Sequence, residues 1–173
     1  MSEHTDRAPR AVMRRFAADD LEALHSLLSD PRAMQYLEPP FSREQTARFL
    51  AGEGLCERPR ILAVELSGTL AGYVIYHDYD ENSVELGWVL SPRVWGQGLA
   101  QELTRRLIAR AHAAGKGVVL ECVPGQAATR HIAQKMGFSH TGRRDDLDVW
   151  RLSASFRTSG SHSPTHPQIP QSS

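Results

Sequence analysis

The feature that most constrains the fold is the stretch 84–100, which reads VELGWVLSPRVWGQGLA. Its pattern predicts a β-strand, a loop and then a helix that opens on Gly96 and Gly98. The first backbone N–H groups of a helix have no partners within the helix, and the helix dipole adds positive charge at that end. A phosphate is therefore the natural ligand of this turn. The alternative is that the two glycines only relax a tight turn.

The helix after the glycines is amphipathic, which favours the binding interpretation. Its apolar residues recur at helical spacing, while Arg105, Arg106 and Arg110 lie elsewhere. The apolar set is Leu99, Leu103, Leu107, Ile108 and Ala111. Burial of this set would hold the first turn of the helix rigidly against a core.

Two familiar phosphate-binding motifs differ from this loop. A P-loop ends in Gly-Lys-Ser/Thr, whereas Gln97-Gly98-Leu99 has neither a lysine nor a hydroxyl. A dinucleotide-binding turn has a third glycine where this chain has Gln101, although Glu121 follows at roughly the distance of a ribose-binding acid. A nucleotide-dependent oxidoreductase is therefore one alternative function.

Composition limits the class of protein. The 173 residues predict one domain, and 20 basic residues balance 20 acidic ones, which argues against nucleic acid or an anionic membrane as a partner. Cys56 and Cys122 are far apart and predict reduced thiols. With no apolar N-terminal block, the expected location is the cytoplasm. The histidines have no metal-ligand spacing, so no metal is expected. We expect a monomer or a homodimer.

The first third of the chain predicts a strand and two helices. The strand spans 11–16, and the first helix begins after Asp19 as its N-cap and ends before Pro31. The second helix opens at Ser42, which forms a capping box with Gln45. Between the helices, the apolar segment 34–41 is either the wall of a substrate cleft or a loop pinned by ordinary burial.

The centre and end of the chain predict a mixed sheet. The stretches 61–66 and 70–76 read as a hairpin, and a polar loop over 78–82 leads to the strand 84–90, which makes a meander. The strand 118–122 follows a helical crossover and so lies parallel to 84–90. A helix over 127–136 and a last strand over 148–152 complete the pattern.

The C-terminal segment changes composition. From Ser153 onward, Ser, Thr, Pro, His and Gln predominate. Such a segment buries too little apolar surface to offset its ordering entropy. We therefore expect one domain over 8–152 and a tail over 153–173, disordered from Ser159.

Taken together, two motifs resemble those of the GCN5-related N-acetyltransferase (GNAT) family. The family pattern Gln/Arg-x-x-Gly-x-Gly/Ala corresponds to the run from Trp95 to Ala100, with Trp95 as a departure, and a later Lys-x-Gly-Phe corresponds to the run from Lys135 to Phe138. The chain looks most like the branch that contains the ribosomal-protein alanine acetyltransferases.

The resemblance implies an α/β fold, the GNAT acyl-CoA N-acyltransferase fold, in which helices flank a mixed, twisted central sheet. It also implies an enzyme that moves an acetyl group directly from acetyl-CoA to a primary amine, either a protein N-terminus or a small-molecule amine. The segment 34–41 would border the acceptor. A non-catalytic acyl-CoA-binding module is the alternative.

The resemblance assigns the binding of acetyl-CoA largely to backbone groups. The glycine turn would hold the pyrophosphate, the strand would pair with the pantetheine arm, and the N–H of Val89 would polarise the thioester carbonyl. Gln126 occupies the position of the family's pantetheine-binding Asn. The predicted cofactor-binding set is Trp88, Val89, Leu90, Trp95, Gly96, Gln97, Gly98, Leu99, Ala100 and Gln126.

Two side chains are predicted to move protons. By strand alternation, Glu85 lies on the face opposite Leu86 and Trp88, where it is either a solvated surface group or the base that deprotonates the acceptor. The family's usual acid, a Tyr, is replaced by Ala133, which leaves Thr129 as the nearby hydroxyl for the departing thiolate. Alternatively, Thr129 is an ordinary helix-start hydroxyl bonded to the backbone.

Overall fold

The structure, a computed structural model, describes residues 10–154, and within them one twisted sheet of seven strands organises the chain. The strands are β1 (Ala11–Arg14), β2 (Ile61–Leu66), β3 (Thr69–Asp80), β4 (Ser83–Leu90), β5 (Gly117–Cys122), β6 (Ser139–Arg144) and β7 (Leu147–Leu152). Their order in the sheet is β1-β2-β3-β4-β5-β7-β6. The predicted mixed α/β sheet is confirmed, and its β4–β5 pair is parallel, as expected from the crossover.

Helices cover both faces of the sheet. They are α1 (Leu21–Leu28), α2 (Arg43–Phe49), α3 (Leu99–Ala113) and α4 (Ala127–Lys135). Helix α3 buries Leu99, Leu103, Leu107 and Ala111 in one core cluster, together with Ala133 of α4. The leucines of α1 pack with Tyr73 and Val89 in a second cluster on the other face. The predicted apolar face of α3 is thus the face that fixes its N-terminus.

The predicted N-terminal cap is confirmed for α2 and wrong for α1. The capping box of α2 is confirmed, because the Gln45 N–H donates to Ser42 Oγ at 3.1 Å and the Ser42 N–H donates to Gln45 Oε1 at 2.7 Å. The prediction of Asp19 as the N-cap of α1 is wrong. A 3₁₀ turn precedes that helix, and the carboxylate of Asp20 instead accepts the Ala17 N–H and the Arg14 guanidinium.

The predicted meander is confirmed, but its last loop is shorter than expected. Strand β3 continues to Asp80 past a bulge between Asp78 and Asp80, and β4 begins at Ser83, so most of the expected loop 78–82 is strand. Lys116 forms an ion pair with Asp78. That contact and the pairing with β4 favour an extended backbone despite the polar sequence. The first strand, in contrast, ends at Arg14, two residues before its predicted end.

One strand was missed. Ser139–Arg144 forms β6, an edge strand that pairs only with β7 among the described residues. Its residues are almost all exposed and polar, so no alternation of apolar residues indicates a strand. The turn to β7 holds Asp145 and Asp146 at φ 47° and 65°, a left-handed conformation that Asp tolerates better than most residues.

The ends of the described chain leave part of the sequence prediction open. Residues 153 and 154 are the only part of the predicted tail within the described range. The boundaries of the domain therefore stay a prediction. Within residues 10–154, no helix is long and apolar enough to cross a membrane.

Candidate functional site

A gap opens in the centre of the sheet where two parallel strands separate. Strands β4 and β5 pair at Ser83, Val84 and Glu85, and the last of these pairs joins Glu85 to Val119. Beyond it, within residues 10–154, β4 pairs only with β3, while β5 pairs only with β7. Glu85 therefore lies at the closed end of a gap whose open end is the glycine turn before α3.

The register decides which backbone groups of β4 face this gap. The Ser91 N–H donates to the Ala71 carbonyl at 2.8 Å. In this antiparallel pair, the odd-numbered residues of β4 therefore form the backbone hydrogen bonds to β3, and the even-numbered ones face the gap. The N–H of Val89 consequently points to Tyr73 of β3. The expectation that it polarises a thioester in the gap does not fit this register.

The backbone groups that do face the gap belong to Trp88 and Leu90. Trp95 has its ring half exposed, and its Nε1 donates to the Leu90 carbonyl at 2.9 Å. This bond satisfies one of the gap-facing groups and fixes the indole beside the open end. The N–H groups of both strand residues and the carbonyl of Trp88 stay available to an amide-rich ligand.

The glycine turn presents unpaired donors. Gly96 and Gly98 have φ 73° and 78°, in the left-handed region that glycine adopts at little cost. From Gly96 to Gln101, no group within residues 10–154 accepts a hydrogen bond from the backbone N–H. A Cβ at Gly96 would meet nothing within 4 Å, so the approach to these donors is open. This is the arrangement that a phosphate needs.

Arg10 ties the turn to the first strand. Its Nη2 donates to the Gln97 carbonyl at 2.5 Å, and its Nε donates to Glu102 Oε2 at 3.3 Å. Glu102 also accepts the backbone N–H groups of Arg10 and Ala11. The sequence gives no sign of this contact, since only the fold brings position 10 beside position 97. The contact holds the carbonyl of the turn away from an incoming anion.

A cavity of about 540 Å³ connects the glycine turn to the gap. Every predicted cofactor-binding residue except Gln97 lines it, and so does Thr129. The segment before α2 forms one wall through Tyr36 and Leu37, which fits the prediction of a cleft wall over 34–41. Tyr36 lies across the mouth, because a Cβ at Gly125 would be 3.6 Å from its ring.

Gln126 and Thr129, at the start of α4, differ in their hydrogen bonds. The Oε1 of Gln126 accepts the Val123 N–H at 3.0 Å, so only its amide N–H₂ stays free to bind a ligand carbonyl. The Thr129 hydroxyl lines the cavity with no hydrogen-bond partner within residues 10–154. The alternative of a hydroxyl bonded to the local backbone is therefore not observed. Ala133 is fully buried and has no access to the cavity.

Glu85 is paired across the strand with His77. Its Oε2 lies 3.1 Å from His77 Nε2, and the two side chains are 24% and 17% exposed, so Glu85 is not a freely solvated surface group. His77 Nδ1 lies 2.9 Å from the Asp78 carbonyl, which can only accept, so this nitrogen carries a proton. Arg60 Nη2 lies 3.2 Å from Nε2 and suits a neutral ring. A second proton on the ring would instead be donated to Glu85.

A second cavity, of about 280 Å³, lies on the Glu85 face of β3 and β4, and we call it the β3 cavity. Its apolar wall consists of Phe49, Ile61, Tyr73 and Ile75. Its polar wall consists of Glu53, Arg60, His77 and Glu85. The sequence analysis did not predict this cavity, because its walls come from four separate segments of the chain.

Glu121 does not take the position that the oxidoreductase alternative requires. Its carboxylate accepts the Tyr79 hydroxyl at 2.8 Å and lies 3.8 Å from Arg144, and it does not line the cavity at the glycine turn. The mostly antiparallel sheet also differs from the parallel sheet of dinucleotide-binding folds. Within residues 10–154, no three His, Cys, Asp or Glu side chains form a metal-binding group.

Known proteins share this architecture. Residues 10–139 match the family model described as an acetyltransferase (GNAT) domain. The chain is 25% identical over 140 residues to the uncharacterised N-acetyltransferase YnaD of Bacillus subtilis (strain 168), which covers 77% of this chain and 81% of that protein.

Solved structures agree with this match. A GNAT-family acetyltransferase from Bacillus anthracis superposes with a TM-score of 0.72 at 23% identity, covering 86% of this chain and 97% of that one. YncA, a putative acetyltransferase of Salmonella typhimurium solved with its cofactor acetyl-CoA, gives a TM-score of 0.63 at 19% identity over 88% of this chain and 99% of that one. The free N–H groups, the strand gap and the family match together show that the chain belongs to the GNAT family of acetyl-CoA-dependent acyltransferases.

Proposed function

We propose that this acetyltransferase moves the acetyl group of acetyl-CoA directly to a primary amine, with Glu85 as the base. The observation that carries the proposal is the place of Glu85, the last residue of β4 that pairs with β5 and hence the end of the gap. The acceptor is a small-molecule amine or a protein N-terminus. Whether the protein acts as a monomer or a homodimer stays a prediction.

The residues of the site offer a partner for each polar part of acetyl-CoA. The unpaired N–H groups from Gly96 to Gln101 would hold the pyrophosphate, and Trp88, Leu90 and Gln126 offer backbone and amide groups to the pantetheine arm. Bound there, acetyl-CoA supplies an activated acyl group as a thioester. The gap-facing N–H of Trp88 or Leu90 would stabilise the negative charge that develops on its carbonyl oxygen.

Direct transfer is favoured because neither cysteine is placed to carry the acetyl group. Cys122 is buried in the core beneath α4, and its burial raises the pKa of the thiol, which disfavours the nucleophilic thiolate. Cys56 and Cys122 line neither cavity. The amine itself is then the nucleophile that attacks the thioester.

The transfer needs two proton movements, and the structure offers a group for each. An amine arrives mostly as an ammonium ion, and Glu85 accepts the proton that must leave before nitrogen can form the new C–N bond. The neutral amine then forms the new C–N bond, and the C–S bond breaks. Thr129 donates its hydroxyl proton to the departing sulfur and regains a proton from the nitrogen, directly or through water. The products are the amide and the thiol of CoA, with one proton left on Glu85. Once Glu85 holds the ammonium proton, its carboxyl group can share that proton with His77 Nε2, which lies 3.1 Å away.

The simplest test of the proposal follows free CoA with a thiol reagent. We expect the purified protein to release CoA from acetyl-CoA much faster with a primary amine than without one, and mass spectrometry should show the acceptor 42 Da heavier, roughly the mass of one acetyl group replacing one hydrogen. Binding of acetyl-CoA with no amine-dependent release across small amines and peptides would support the non-catalytic module instead.

The role of Thr129 gives a separate prediction. Thr129→Val keeps the shape of the side chain but removes the hydroxyl, so kcat should fall by about ten-fold, less than the usual hundred-fold for a general acid because a thiolate leaves easily. The affinity for acetyl-CoA should stay unchanged. Thr129→Ser is the matched control and should keep most of the rate. Equal kcat values for the Val variant and the wild type would mean that water protonates the sulfur.

A further inference from the structure

Glu85 links the β3 cavity to the gap, because it lines the cavity and is also the last residue of β4 that pairs with β5. Glu85, Gly87 and Val89 follow one another on one face of β4. A Cβ at Gly87 would lie 3.1 Å from the tip of Ile75, so the Ile75 side chain covers Gly87. An amine that lies in the β3 cavity therefore approaches the gap beside the Glu85 carboxylate.

Apolar and aromatic groups form the larger wall of the cavity. The rings of Phe49 and Tyr73 lie 5.7 Å apart at 52°, and Phe41 packs edge-on against Phe49 at 5.9 Å. Ile61 and Ile75 complete this wall. A volume of about 280 Å³ corresponds to about nine water molecules at roughly 30 Å³ each. The cavity can thus take one ring-sized apolar body, which would bury its surface against the aromatic pair.

The charges of the opposite wall favour a single ammonium group. Glu53 and Glu85 are carboxylates, whereas Arg60 is the only guanidinium, and it lies 3.6 Å from Glu53. Among the described residues, Arg60 forms its ion pair with Glu53, while the contact of Glu85 is with His77, so Glu85 is the carboxylate left for an ammonium group. Glu38 and Glu53 add to the negative potential near this wall. The pKa of Tyr73 is raised, first by burial of its hydroxyl and then by these two carboxylates. A second cationic group on the acceptor would be repelled by Arg60, and a carboxylate on the acceptor would be repelled by Glu85.

We propose that the β3 cavity binds the acceptor, and that the acceptor is a primary monoamine on an apolar, ring-sized body. The assignment rests on the proposed function, because it takes Glu85 as the base at the end of the gap. The amine nitrogen lies beside Glu85, and the apolar body lies against Phe49, Tyr73 and Ile75. A polyamine fits this cavity less well because its second ammonium group would be repelled by Arg60, and a polypeptide N-terminus fits less well because its polar backbone would lie against Phe49 and Ile75.

The test compares kcat/KM for four acceptors: 2-phenylethylamine, ethylamine, spermidine and a peptide that begins with alanine. Since one methylene in an apolar pocket is worth about ten-fold or more, 2-phenylethylamine should exceed ethylamine by at least about a hundred-fold. It should also exceed spermidine and the peptide by at least about ten-fold. A higher kcat/KM for spermidine or the peptide would overturn the assignment.

A variant that fills the cavity tests its location. Ile75→Phe should lower the ratio of kcat/KM between 2-phenylethylamine and ethylamine by at least about ten-fold, because the added ring occupies the space of the substrate ring. The matched control is Ile108→Phe, on the α3 face away from both cavities, which should leave the ratio unchanged. An acetyl-CoA-dependent rise in Tm shows that each variant is folded. An unchanged ratio in folded Ile75→Phe would overturn the proposal.

Calorimetry of 2-phenylethylamine with the CoA-bound protein separates this proposal from the proposed function. Binding that Ile75→Phe abolishes, without any amine-dependent CoA release, would support the acceptor cavity and contradict acetyl transfer. Release of CoA with spermidine or the peptide but not with 2-phenylethylamine would support transfer and contradict the cavity. Absence of both binding and release would contradict both.

Discussion

Gly98→Asp is expected to remove most of the acetyl-CoA-dependent rise in Tm. For the wild type, acetyl-CoA at about a hundred times its Kd should add about 2.7 kcal/mol to the free energy of unfolding. For a domain of this size, that corresponds to a rise in Tm of about 5 to 10 °C. The measurement is a thermal melt of each protein with and without acetyl-CoA.

The reason is the position of the new charge. Gly98 is the N-cap of α3, next to the N–H groups that would bind the pyrophosphate. Two like charges 4 Å apart repel by about 4 kcal/mol at an effective dielectric constant near 20. The turn is exposed and therefore screened, so we expect affinity to fall by about a hundred-fold rather than more.

Gly98→Asn separates charge from backbone strain. Asn and Asp have nearly the same shape, and both tolerate the left-handed conformation that Gly98 adopts at φ 78°. A Cβ there would have Arg10 as its nearest neighbour at 4.0 Å, so neither side chain is excluded. The neutral variant should keep most of the rise in Tm. Equal loss in both variants would show that strain, and not repulsion of phosphate, controls binding.

The sequence could predict the parts of the site that depend on local structure. The strand, the turn and the amphipathic helix over 84–113 follow from hydrophobic period and glycine chemistry, both of which act over a few residues. Alternation along β4 likewise predicts that Glu85 and Trp88 lie on opposite faces. These local rules hold because β4 and α3 both pack against the core, so the apolar residues of each must lie on the face that is buried there.

What could not be predicted depends on register and on contacts between distant segments. The side to which the Val89 N–H points is set by pairing with β3, and a shift of one residue would reverse it. Arg10 reaches the glycine turn, and Tyr36 reaches Gly125, only once the sheet has formed. Strand β6 has no apolar pattern at all, since β7 alone provides its hydrogen-bonding partner within residues 10–154.

Glu85→Gln is expected to lower kcat/KM at neutral pH by about a hundred-fold, within the usual range for loss of a general base. Gln has the same shape and can still contact His77, so the fold and the affinity for acetyl-CoA should persist. The matched control is Glu65→Gln, on β2, where the carboxylate is 27% exposed and bound by Arg14 at 2.8 Å. Glu65 lines neither cavity, so this variant should keep the wild-type rate.

The pH profile distinguishes loss of a base from loss of position. An amine that ionises near pH 10 is neutral in about one molecule in a thousand at pH 7. Without Glu85 the enzyme depends on that neutral fraction, so log kcat/KM of the variant should rise by about one for each pH unit. At that slope, the deficit of about a hundred-fold at pH 7 should close near pH 9. A variant with the wild-type rate and profile would mean that the ammonium proton leaves through water, His77 or Asp78. Catalysis would then rest mainly on holding the amine and the thioester together in the gap.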